Sequence, residues 1–153
     1  HRGTRSMLLE DFFQEDGITR NVLETGEIVT HIQLPENSAD FIGSYQKLRL
    51  REAWDFPEGG VAFSVGISAD GTVSRINMAS TGFESIPRKH IELIETLDKG
   101  PNWALEAERL GAELKRAVRP VLNTWFPPAY RKKMASVLAR RAMEETSKRV
   151  TSG

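Results

Sequence analysis

The chain has 153 residues, 39% of them hydrophobic and 27% charged, with 21 Lys and Arg balanced by 21 Asp and Glu. That length suits one domain with a sizeable core and excludes two large ones. A formal charge of zero argues against a dedicated nucleic-acid binder, which carries a basic excess. With no cysteine, the chain itself holds no disulfide, thiolate nucleophile, zinc–thiolate site or iron–sulfur cluster. No apolar run approaches the ~20 residues of a membrane span.

In chain order, Ser6 is placed to cap a short helix over residues 7–13, and Asp16 with Gly17 signals a turn after it. Residues 27–34, EIVTHIQL, alternate as a strand that Pro35 closes. Ile28, Ile32 and Leu34 share one face of that strand; Val29, His31 and Gln33 share the other. A second strand is expected over 41–51, with Leu48 and Leu50 on one face and Tyr45, Lys47, Arg49 and Arg51 on the other. Residues 54–60 are rich in turn formers, and Gly59 with Gly60 reads as a loop hinge. Val61, Phe63, Val65 and Ile67 alternate with small residues and take the core face of a third strand. Asp70 and Gly71 then mark a tight hairpin before a fourth strand over 73–80.

Beyond Phe83 the period becomes helical. A helix is expected from Pro87, with Ile91, Ile94 and Leu97 on one side. A second repeats Ala107, Leu110, Leu114 and Ala117 over 103–118. A last one runs from Pro128 to about Met143, with Tyr130, Met134, Val137, Leu138 and Ala142 as its stripe, and residues 148–153 read as a frayed tail. Strands first and helices afterwards imply an α+β fold: an antiparallel sheet of about four strands covered on one face, that of Leu48, Phe63 and Ile76, by about three helices. The chain divides into a lead-in with a short helix (1–26), the α+β domain (27–146) and a tail (147–153).

Local catalytic motifs are absent. The three histidines, His1, His31 and His90, lack metal-ligand spacing, and no Walker A, GxSxG or GxGxxG sequence occurs. Neighbouring carboxylates such as Glu10 and Asp11 do not face a common point. Arg131, Lys132, Lys133, Arg140 and Arg141 make the last helix basic, either as a solvated face or as a surface for an acidic partner. The cationic face of Tyr45, Lys47, Arg49 and Arg51 stands out. If the strand over 27–34 pairs beside it, Val29 and Lys47 project together. An apolar side chain and a cation placed so would flank a flat, electron-poor ring, with Trp54 as a stacking plane.

These residues carry a resemblance. Asp11-Phe12-Phe13, Gly26-Glu27-Ile28-Val29, Leu34-Pro35, Tyr45-Gln46-Lys47, Arg51-Glu52-Ala53-Trp54-Asp55-Phe56, Ile86-Pro87-Arg88 and Tyr130-Arg131 recur in order and spacing. The chain thereby resembles the C-terminal domain of the FAD-binding (medium) subunit of molybdenum hydroxylases, the flavoproteins of xanthine dehydrogenase, carbon monoxide dehydrogenase and 4-hydroxybenzoyl-CoA reductase. The resemblance implies a non-catalytic wall of the flavin made by Val29, Lys47, Arg51, Trp54 and Asp55, with no metal ligands in this chain. It also implies an N-terminal FAD-binding domain that holds most of the cofactor. Partner subunits would carry the molybdenum cofactor (a molybdopterin-binding large subunit) and the iron–sulfur clusters (a small subunit), all of them cytoplasmic. Starting at His1 and lacking glycine-rich pyrophosphate loops, the chain is expected to be the C-terminal part alone or a separately encoded version of it. The alternative reading is a subunit-docking or dimerisation module that touches no cofactor.

Overall fold

Val61, Phe63 and Val65 alternate with small residues, and all three lie at the centre of the molecule with at most 1% exposure. The computed structural model describes residues 3–52 and 54–152. Its sheet runs β1 (Phe41–Leu48), β2 (Gly59–Ile67), β3 (Val73–Thr81) and β4 (Arg88–Lys89), in that spatial order and antiparallel throughout. Ser44 faces Phe63, and Phe63 faces Met78, so these residues share the pleat face that meets the helices. Tyr45, Ala62 and Ala79 align on the opposite face. The hairpin between β2 and β3 turns at Gly71, whose φ is +83°. The Asp70 carboxylate accepts the Thr72 N–H at 3.0 Å there, an Asx-type turn.

Before the sheet comes α1 (Leu9–Phe12); after it come α2 (Ile91–Glu95), α3 (Ala107–Ala117) and α4 (Pro128–Ser152). The last two pack against each other and α4 lies across β1 and β2. Three polar contacts fix that seating. Ser44 Oγ donates to the Ala142 carbonyl at 2.8 Å. Thr146, fully buried, sits 3.3 Å from the Phe63 carbonyl. Arg149 donates to the Gly43 carbonyl at 2.7 Å, which covers part of the free edge of β1. The Trp103 ring stacks on Phe63, centroids 5.9 Å apart. Burying side chains such as Phe63, Met78 and Leu114 contributes about 1.5–3 kcal/mol each.

Four strands and a one-sided helical layer agree with the sequence reading, but the membership of the sheet differs. Residues 27–34 form no strand: Ile28, Ile32 and Leu34 stay 70–79% exposed. Alternation creates a strand only where a second edge satisfies the backbone, and among the described residues no strand pairs with the outer edge of β1. The fourth strand is instead the short β4. Pro87 therefore leads into a strand, not a helix, and α2 begins only at Ile91. Gly59 and Gly60 are buried at the start of β2 and do not form a hinge. The expected tail continues α4 to Ser152, because Thr146 and Val150 still reach the core. The stripe of α4 is also rotated from the expected one. Arg131, Ala135, Leu138, Ala139, Ala142 and Met143 are buried, whereas Tyr130 is exposed. Among the described residues no helix is long and apolar enough to cross a membrane.

Candidate functional site

A strand that ends at Leu48 and another that starts at Gly59 leave ten residues to cross between neighbouring strands. This connection would splay without internal ties. Asp55 supplies them. Its Oδ2 accepts the N–H groups of Leu50 and Arg51, each at 2.8 Å, and its Oδ1 accepts that of Phe56 at 3.0 Å. The Arg51 guanidinium lies 3.4 Å from the same carboxylate and 3.3 Å from the Trp54 carbonyl. The N–H of Arg51 above all, with that of Leu50 and the Arg51 guanidinium, holds the Asp55 carboxyl below its ordinary range. Burial opposes them. Lys47, on the open face of β1, donates its ammonium to the Asp55 carbonyl and so ties the strand to the loop.

With its base held, the loop projects its apolar residues outward. Trp54 is 98% exposed and adopts φ +44°, the one non-glycine residue with positive φ among those described. Phe56 and Leu50 are exposed beside it in sequence. The foot of the loop is anchored from below. Glu58 donates its N–H to the Leu48 carbonyl at 2.8 Å. Its own carbonyl accepts Arg131 Nε at 2.7 Å. Gly82, with φ +76°, lets its backbone approach Pro57 so closely that a Cβ would stand 2.8 Å from the Pro57 carbonyl oxygen.

Beside the loop the open sheet face is lined by small residues, Gly60, Ala62 and Ala79. Tyr45 reaches over Gly60, where an added Cβ would meet its hydroxyl end. Partial burial pushes the Tyr45 phenol up from its ordinary pKa. Tyr45 and Lys47 thus form a shelf on the open face of β1, and the loop tied to it carries the exposed Trp54.

Of the residues singled out from the sequence, Lys47, Arg51, Trp54 and Asp55 are gathered in this one loop and strand end. Val29 is not: it lies in the unpaired segment before β1, 55% exposed, and no strand ladder sets it beside Lys47. The expected co-facial pair is therefore absent. The sequence reading also missed Arg131 as a support of the site. Its positions offered a signal, since 131, 135, 138, 142 and 146 fall at helical spacing on one buried face. His90 shares a 2.8 Å hydrogen bond with Ser80, and burial lowers its pKa.

Comparison with known proteins comes to the same fold. A family model described as the CO dehydrogenase flavoprotein C-terminal domain matches residues 43–146. The structure is similar to a carbon monoxide dehydrogenase from Hydrogenophaga pseudoflava that lacks the Mo-pyranopterin moiety of its molybdenum cofactor. That likeness has TM-score 0.73 and 20% identity, covering 92% of this chain and 47% of that one. A reconstituted CO dehydrogenase from Oligotropha carboxidovorans gives TM-score 0.73 and 23% identity over 91% of this chain and 47% of the other. Quinoline 2-oxidoreductase from Pseudomonas putida 86 gives TM-score 0.75 and 15% identity over 92% and 47%. The chain thus spans about half the length of the solved chains it matches.

Proposed function

Because the chain belongs to the CO dehydrogenase flavoprotein C-terminal domain family, we propose that it forms one wall of an FAD site in the flavoprotein subunit of a molybdenum hydroxylase. The observation that carries this reading is the shelf of Tyr45 and Lys47, with the Asp55-held loop that carries Trp54. Such a surface would cover one side of a flat ring and not a whole dinucleotide. Lys47 would offer a cation at the ring edge, Trp54 an apolar plane, and Asp55 with Arg51 would hold the loop that carries them. The flavin, when bound, supplies the electron exchange itself; this chain excludes water and sets the local charge.

In this proposal an N-terminal FAD-binding domain holds the pyrophosphate and most of the cofactor. It also covers the apolar residues that the segment before β1 leaves exposed, Ile28, Val29, Ile32 and Leu34. Electrons pass between FAD and the iron–sulfur clusters of a small subunit, and so to the molybdopterin-binding large subunit, within the cytoplasm. Val29 enters the site only if that partner repositions its segment.

A second reading has one observation in its favour. The Lys47 ammonium is already engaged by the Asp55 carbonyl, as expected if the shelf only docks another subunit. FAD titration of the chain co-expressed with an N-terminal FAD-binding domain of the family separates the two. On the flavin reading, Lys47→Ala combined with Trp54→Ala weakens FAD roughly tenfold while the two parts still co-purify. An unchanged FAD affinity in the double variant rejects that reading and leaves the docking role.

A further inference from the structure

The basic run of the last helix is not the surface its sequence suggests. Arg131 is fully buried, and Arg140 is spent on Glu108 at 2.5 Å and Glu144 at 3.7 Å. Lys132, Lys133 and Arg141 remain, and the fold gives Lys132 new neighbours. Helices α3 and α4 touch closely at Gly111, where a Cβ would stand 2.7 Å from the Ser136 carbonyl oxygen. About one turn further along α3 a cleft of about 410 Å³ opens, lined by Ala112, Lys115, Arg116 and Lys132.

Three cations and a methyl group therefore line a concave surface. The ion pairs made by these two helices use Arg109, Arg140 and Arg149. Among the described residues no carboxylate lies within 4.0 Å of Lys115, Arg116 or Lys132. Helix-dipole effects account for Lys115 and Arg116, in the last turn of α3, but not for Lys132, near the start of a helix whose first turn holds no acid. The whole chain has no net charge, yet residues 107–153 hold eleven Lys and Arg against four Asp and Glu. The imbalance is local, and three of these cations line the cleft.

We propose that this cleft between α3 and α4 docks an acidic segment of another protein chain, two or three Asp or Glu side chains reaching Lys115, Arg116 and Lys132 over the Ala112 floor. Arg116 offers a fork that matches a carboxylate, whereas the two lysines act as point charges. Duplex nucleic acid or an anionic bilayer would call for a broad basic face, and three cations in a groove suit one segment of side chains. The proposal stands apart from the flavin reading, since the cleft shares no residue with the Lys47 shelf.

The test is fluorescence anisotropy of a labelled octaglutamate peptide titrated with the full chain at about 0.1 M salt, where charges beyond about 10 Å are screened. Lys115→Glu with Lys132→Glu is expected to weaken binding at least tenfold. Arg141→Glu with Lys148→Glu, the same charge change at a different cleft, is expected to weaken it less than twofold. Should the first variant fail to fold by circular dichroism, Lys115→Gln with Lys132→Gln takes its place, with at least a threefold loss expected. Equal losses in both pairs, or none in either, overturn the proposal. So does a protein that binds phosphatidylserine vesicles, or associates with itself in sedimentation, through Lys115 and Lys132 while ignoring the peptide.

Discussion

Arg131 and Glu58 are joined across the molecule: the Nε–H of the first donates to the backbone carbonyl of the second at 2.7 Å. The same guanidinium donates to the carbonyls of Val121, at 2.6 Å, and of Gly82. One buried side chain on α4 thus gathers the foot of the site loop, the turn after β3 and the connection before α4. Burial disfavours its charge and lowers its pKa, while Glu58 works the other way. A ring of carbonyl acceptors offsets the cost of burying it.

Arg131→Ala takes the donor from the buried Glu58 carbonyl and from the half-buried carbonyls of Val121 and Gly82, and is expected to destabilise the chain by roughly 3 kcal/mol. Arg131→Lys keeps the charge but loses the fork and is expected to fall between the two. Urea unfolding followed by circular dichroism measures both, and equal stability of the alanine variant and the parent would contradict the role.

Asp55 gives a pH-dependent signature. Its pKa in the folded chain is depressed, chiefly by the Arg51 N–H. Such a carboxylate contributes stability that is complete above the ordinary value near ~4 and is lost as pH falls through the depressed one. The amide resonances of Leu50 and Arg51 are expected to titrate together, with a midpoint below the ordinary Asp value. In Asp55→Asn that titration is expected to vanish.

Trp54 at φ +44° with 98% exposure carries backbone strain without packing in return. Trp54→Gly is expected to raise stability, by up to about 1 kcal/mol, since an L side chain in the left-handed region costs about 1–2 kcal/mol and glycine's added chain entropy takes part of that back. The same change removes the indole from the loop. A rise in urea midpoint alongside weaker FAD binding in the assembled subunit is the expected pair of results.

The two glycines at the start of β2 separate by what lies over them. A Cβ on Gly59 would meet the Phe83 ring at 2.4 Å, and Phe83 is 1% exposed; on Gly60 it would meet the hydroxyl end of Tyr45, which is 50% exposed. Gly59→Ala is therefore expected to cost about 1–3 kcal/mol and Gly60→Ala clearly less, as read from thermal unfolding.

Much of this was legible beforehand. Alternation over Val61 to Ile67 and the Asp70–Gly71 turn are local signals, and both built what they promised. So did the period of Leu110 and Leu114. Several of the failures concern residues whose partners lie far away in sequence. Residues 27–34 alternate like a strand, but alternation names no edge to pair with. Arg131 reads as one cation in a surface run until the carbonyls of Glu58, Val121 and Gly82 converge on it. Lys47 was legible as a face residue, though not its bond to the Asp55 carbonyl. Lys115 and Lys132 lie too far apart in sequence for any local pattern to join them.

Hydrogen exchange on the chain assembled with an N-terminal FAD-binding domain, with and without FAD, tests the central claim most directly. If the loop after β1 borders the ring, adding FAD slows exchange at Leu50, Arg51 and Phe56 by tenfold or more and leaves the middle of α4 unchanged. Protection of that loop by the partner alone, with no further slowing when FAD is added, would contradict it.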